Sequence, residues 1–158
     1  MEQDNIYDPH KSRELAIHIA ASSPDCSMER VAALMYFADA RATRHLSHSI
    51  TGDDYMQSRF GPTPCNLSQL INDMTNDGDV NACTTMTYTE VKASILPARQ
   101  PNLAVFTEDQ RDLINRVIDD FADATTGDIM HAAEHELSYR LQRPYSQLAL
   151  YPVHDLRE

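Results

Sequence analysis

Residues 28–46 read MERVAALMYFADARATRHL, and this stretch decides the fold. Val31, Leu34, Met35, Ala38 and Ala42 recur at the i, i+3, i+4, i+7, i+11 spacing that gathers side chains on one arc of an α-helix. The opposite arc carries Ala33 and Ala40, which are small and uncharged. A helix that is apolar on one side and small on the other can be packed from both, so it is expected at the centre of the molecule. Phe37 stands off the main stripe near Arg30, Arg41 and Arg44 and is expected to make a second core contact.

Toward the N-terminus, Asp8 followed by Pro9 has the form of an N-cap with proline at the first helical position. The helix it opens runs through Leu15, Ile17 and Ile19 and stops at Ser22-Ser23-Pro24. His18 within it is expected to be a partly buried, hydrogen-bonded histidine. Toward the C-terminus, the turn-forming residues 47–52 precede Phe60-Gly61-Pro62-Thr63-Pro64, a rigid corner with two fixed prolines. Thr63 is then expected to cap a helix with Pro64 at its first position, with Leu67, Leu70, Ile71 and Met74 as its buried stripe and an end near Asp77-Gly78.

From Val80 to Pro97 the composition turns β-branched and aromatic, which predicts one short hairpin. Pro97 and Pro101 flank a connector, and Thr107 with Gln110 makes a capping box ahead of Leu113, Ile114, Val117, Ile118 and Phe121. The other face of that helix carries Glu108, Asp109, Asp112, Asp119, Asp120 and Asp123 and reads as solvated. A break at Gly127 precedes a last helix over about 128–140, and residues 141–158, with Pro144 and Pro152, read as irregular or briefly helical. The expectation is a mainly α (α+β) single domain of about five to seven helices around residues 28–46, with one small β hairpin or sheet over about 80–96.

Composition narrows the function. A formal charge of -11, with Lys11 and Lys92 the only lysines, opposes a protein that neutralises phosphates along nucleic acid; neutral or basic partners are expected. Residues 1–9 have no basic, apolar signal pattern, and no run approaches the roughly 20 apolar residues of a membrane span, so a cytoplasmic location without membrane contact is expected. Cys26, Cys65 and Cys83 form no CxxC pair, and Cys65 is expected to be a buried structural thiol. No GxSxG, Walker or GxGxxG pattern occurs, and no cofactor is expected.

One catalytic pattern does occur. His131-Ala-Ala-Glu134-His135 matches HxxEH, in which two imidazoles at i, i+4 hold zinc and the glutamate serves as general base. A third protein ligand is required, and the residues after His135 offer only Glu136, Asp155 and Glu158 as carboxylates. The zinc hydrolase is therefore the alternative to a binding protein, and the expectation is no metal site and no enzyme.

Three pieces in order, Leu34-Met35-Tyr36-Phe37-Ala38-Asp39, Ile50-Thr51-Gly52-Asp53-Asp54-Tyr55 and Gly61-Pro62-Thr63-Pro64, resemble the signature of the Panacea domain, the SocA-like antitoxin family. The order continues through the β segment 80–95, the connector 97–101, the helix from Thr107 and His131, so the resemblance covers roughly residues 10–140. It implies an antitoxin that neutralises a protein toxin, encoded beside it, by direct contact, or that delivers the toxin to a protease. The same domain also implies a phage or accessory regulator acting on another protein. Tyr36, Phe37, Asp39, Thr51, Gly52, Asp53, Gly61, Pro62, Pro64 and His131 are the matching motif positions, and they read as architecture. For partner contact the exposed arginines and aromatics near the corner, Arg41, Arg44, Tyr55, Arg59 and Phe60, are the candidates, because these residue types dominate interface hot spots. Toxin class and self-association are left open.

Overall fold

The computed structural model describes residues 6–23, 25–58, 61–86, 88, 91–141 and 147–148. Helix α1 spans Pro9–Ser22, and the Asp8 carboxylate accepts hydrogen bonds from the His10 and Lys11 N–H groups as the N-cap reading requires. Helix α2 spans Met28–Leu46, capped by Ser27 and ended by Ser47 in the left-handed region at φ 71°. Every residue from Arg30 to Ala40 is buried, because α1, α4 (Glu108–Asp120), α5 (Thr126–Leu141) and strands β2 (Gly61–Pro64) and β4 (Val91–Pro97) all pack against α2. The alanines let these elements approach closely from every side. Arg30 is buried with them, and its Nη1 and Nη2 donate to the Ala124 and Phe121 carbonyls, supplying donors to the orphan carbonyls where α4 ends.

The corner at residues 55–64 is a β-hairpin. Strand β1 (Tyr55–Ser58) pairs antiparallel with β2, and β5 (Gln147–Leu148) adds to the other edge of β1. The expectation that Thr63 and Pro64 open a helix is thereby corrected. Pro62 and Pro64 are two residues apart on an edge strand, so both ring nitrogens fall on the same side, away from the ladder, where no N–H is needed. Thr63 donates to the Gly61 carbonyl, and helix α3 (Leu67–Asn76) begins at Asn66 without a side-chain cap. Leu67, Leu70 and Met74 form its buried stripe, and the chain turns out of it through Asp77 and Gly78.

Strand β3 (Val80–Met86) pairs antiparallel with β4 in the expected hairpin, and the far edge of β4 is extended by an isolated bridge between Ser27 and Ser94. A 3-10 turn (Leu103–Val105) leads to α4, where both hydrogen bonds of the Thr107–Gln110 capping box form. Gln110, Ile114 and Val117 face inward and the six acids 108, 109, 112, 119, 120 and 123 are exposed. The break before the last helix falls at residues 121–125, just ahead of Gly127: α5 starts at Thr126 with Gly127 in its first turn, and the Asp128 N–H is taken by Thr125 Oγ1. With five α-helices and two small antiparallel sheets among the described residues, the fold is mainly α with a small β part, as expected. Of the expected irregular segment 141–158, only residues 141 and 147–148 are described. Cys65 is exposed, not buried, and it and the other two cysteines are free. No described helix is long and apolar enough to cross a membrane.

A charged network ties α1 to the hairpin. Arg99 bonds Glu14 through Nη2 at 2.7 Å and Asp79 through Nε at 2.8 Å, and Arg13 reaches Asp79 and Asp77, each at 2.7 Å. Burial pushes the Glu14 carboxyl up, but the Arg99 hydrogen bond, the Asn102 N–H and the Arg99 charge together bring it below the ordinary glutamate value. Asp79 is held low chiefly by its hydrogen bond from Arg99.

Candidate partner-binding groove

The motif residues meet around one buried carboxylate. Asp39, on the inward side of α2, is fully buried; its Oδ1 accepts the Ile50 N–H at 2.8 Å and the Thr51 N–H at 3.0 Å. Its Oδ2 accepts the Thr51 hydroxyl at 2.6 Å and the Tyr55 hydroxyl at 2.8 Å. Loop 47–54 therefore has its backbone donors satisfied by a side chain instead of by a sheet, which a buried loop needs. Burial raises the Asp39 carboxyl above its ordinary value, and the hydrogen bonds from Thr51, Tyr55 and Ile50 pull the other way without cancelling it. Burial and the adjacent Asp39 charge push the Tyr55 hydroxyl well above ordinary tyrosine.

A second carboxylate repeats the device. Asp53 accepts from the Asn66 N–H and Nδ2 and so anchors the start of α3; burial raises it, and the Asn66 bonds oppose the rise. Between the two, Gly52 sits at φ 72°, where any Cβ would overlap the Ile6 carbonyl, and the Asp8 N–H donates to the Thr51 carbonyl alongside. Tyr36 packs edge-on against Tyr55 and Phe37, and its hydroxyl donates to Glu136 on α5 at 2.6 Å.

This geometry sorts the candidate contact residues. Tyr55 is fully enclosed with its hydroxyl on Asp39, so it is not an exposed contact. Arg59 and Phe60 lie outside the described residues. Arg41 and Arg44, one turn apart at the end of α2, do stand at the surface. The Arg41 guanidinium lies 5.9 and 5.7 Å from the ring centroids of Phe37 and Phe121, which pack on each other at 4.7 Å, and its Nη1 reaches Asp120 at 2.7 Å. Arg44 pairs with Glu136 at 3.2 Å.

Beside them opens a groove of about 610 Å³ between α2 and α4. Arg41, Arg44 and His45 form one wall; Asp112, Arg116 and Asp120 stand on the other. The walls carry both signs of charge, and the half-exposed Arg41–Asp120 pair contributes only about 0–1 kcal/mol to stability. Sequence reasoning placed the acids of α4 in solvent and missed that Arg116 and Asp120 face the arginines of α2. Phe121, the last apolar residue of that helix, is the one sequence signal of the contact, since it had to meet an aromatic or aliphatic neighbour.

Among the described residues, no third ligand joins the HxxEH side chains. His131 and His135 are exposed on α5, while Glu134 accepts a hydrogen bond from Gln57 at 3.4 Å. Among the described residues no group of three or more histidine, cysteine, aspartate or glutamate side chains could hold an ion, and Asp155 and Glu158 lie outside them. Glu136 is engaged by Tyr36 and Arg44. His18, far from this helix motif, bonds Asn115 through Nε2 at 2.9 Å and joins α1 to α4.

The family model described as "Antitoxin SocA-like, Panacea domain" matches residues 33–136, from the first half of α2 into α5. No curated protein and no solved structure matches the chain. The matched span contains Asp39, Asp53, Gly52 and both walls of the groove.

Proposed function

The chain belongs to the SocA-like antitoxin family by its Panacea domain, and on that premise we propose that it neutralises a cognate protein toxin by direct contact through the groove between α2 and α4. The observation that carries the reading is the placement of Arg41: a cation held over the Phe37–Phe121 pair, half-exposed, at the mouth of an open groove. Arginine on an aromatic shelf is pre-organised, so it loses little side-chain freedom when a partner arrives, and this residue type dominates hot spots. The motif acids Asp39 and Asp53 are engaged inside the fold, where they hold the loop and the start of α3, which leaves recognition to surface side chains. A charge of -11 favours the approach of basic partners. An interface of standard size buries about 800 Å² on each side, which needs neither cofactor nor catalysis.

The test is co-expression with the product of the adjacent gene. Growth should recover, and the two proteins should co-purify as a stable complex. Arg41→Gln together with Arg44→Gln should weaken the complex at least about tenfold, with folding intact because exposed pairs add little stability. Rescue without a complex would sink the contact mechanism, and loss of the toxin from the cell during rescue would point to delivery to a protease.

A further inference from the structure

Among the described residues, the β3–β4 hairpin leaves one strand edge unpaired. Ile95 donates its N–H to the Cys26 carbonyl at 2.9 Å, so the backbone of Ile95 points away from β3. Its register partner Ala82 must then point away from β4, and so must Thr84, two residues on. Among the described residues no hydrogen bond reaches the outward N–H and C=O groups of either. The strand reads Val80-Asn-Ala-Cys-Thr-Thr-Met86, with no charge, proline or bulge of the kind that normally blocks an edge.

The hairpin also outruns its core. Val80 and Ile95 at its base are buried, but Ala82, Thr84 and Met86, on the same face of β3 as Val80, are exposed, Met86 by 75%. That face is covered only at one end.

We propose that β3 pairs antiparallel with β3 of a second copy about a dyad at Cys83, joining the two hairpins into one four-stranded sheet. Cys83 is the middle residue of the strand, and the outward residues 80, 82, 84 and 86 are symmetric about it. Ala82 of one copy then exchanges backbone hydrogen bonds with Thr84 of the other, and the reverse across the dyad. Met86 of each copy comes to lie opposite Val80 of the other, on the same face, against the edge of that copy's core. Each uncovered end thus meets the covered end of its mate. The seam carries no charged side chain, so the repulsion between two chains of -11 acts only at longer range, where physiological salt screens it beyond about 8 Å.

The test uses the full chain with Cys26→Ser and Cys65→Ser, leaving Cys83 as the single thiol. Sedimentation equilibrium should give a dimer that tightens as salt rises, and mild oxidation should link the copies through Cys83, since opposed residues of a non-hydrogen-bonded pair sit within disulfide reach. Thr84→Pro deletes one outward N–H per copy without touching the β3–β4 ladder and should weaken dimerisation about thirtyfold; Thr84→Lys, which keeps the backbone intact, should also weaken it. A monomer at the highest attainable concentration overturns the proposal, as does a dimer indifferent to both substitutions. A monomer in which those substitutions abolish toxin binding also overturns it and assigns the edge to the toxin.

Discussion

Asp39→Ala should come close to unfolding this protein, because the fully buried residue holds loop 47–54 in place. The substitution strands the Ile50 and Thr51 N–H groups, both buried, and each unsatisfied donor costs about 1–3 kcal/mol. The Thr51 and Tyr55 hydroxyls can rotate toward other acceptors, so they add less. The sum, about 3–6 kcal/mol, approaches the whole stability of a domain this size, about 5–15 kcal/mol, and corresponds to a melting temperature about 10–20 °C lower. Asp39→Asn is the control: its side-chain oxygen can still accept both N–H groups, so it should cost about 1 kcal/mol. The two variants also differ with pH. Because burial lifts the wild-type carboxyl above its ordinary 3.8, the folded state binds its proton first, and stability due to this group rises as pH falls through the folded value toward 3.8. Asp39→Asn lacks that gain, so the wild type should pull ahead of it on acidification. Urea unfolding at several pH values measures all of this. An Asp39→Ala protein within about 1 kcal/mol of wild type, or an asparagine variant as damaged as the alanine one, would refute the reasoning.

Gly52→Ala should destabilise by more than about 2 kcal/mol, because left-handed backbone strain of about 1–2 kcal/mol is joined by overlap with the Ile6 carbonyl; Gly61→Ala, at φ 95° but with its nearest neighbour, the Met130 carbonyl, at an unstrained 3.7 Å, should show the strain alone in the same melting experiment. Arg99→Gln should cost about 1–2 kcal/mol at neutral pH, kept modest by solvent screening of the part-exposed guanidinium. Glu14 and Asp79 are both held below their ordinary values of 4.5 and 3.8, so that contribution is present above those values and lost as pH falls through the folded ones; the gap between Arg99→Gln and wild type should close in acid. His131→Ala with His135→Ala should change stability by less than about 0.5 kcal/mol, since both side chains are exposed, and calorimetric titration with zinc should show no stoichiometric binding. A tight equivalent of zinc, lost in that double variant, would restore the hydrolase reading.

What the sequence determined by itself is what short-range physics controls. The Asp8–Pro9 start, the Met28–Leu46 helix and its central place, the Thr107–Gln110 capping box and the β3–β4 hairpin depend on residues near one another in the chain, so spacing alone exposes them. The family signature was legible for the same reason, being three short pieces in order. Tertiary structure decided the rest. Pro62 and Pro64 satisfy a helix start and an edge strand equally well, and only the pairing with β1 chooses the strand. Tyr55 looks like a surface aromatic until Asp39, 16 positions earlier, draws its hydroxyl inward. Asp120 looks like part of a solvated acidic face until the packing of α4 on α2 sets it, with Phe121, beside Arg41, 79 residues away. Periodicity specifies which face of a helix is buried, but not which neighbour covers it, and a site built between two helices exists only once that choice is made.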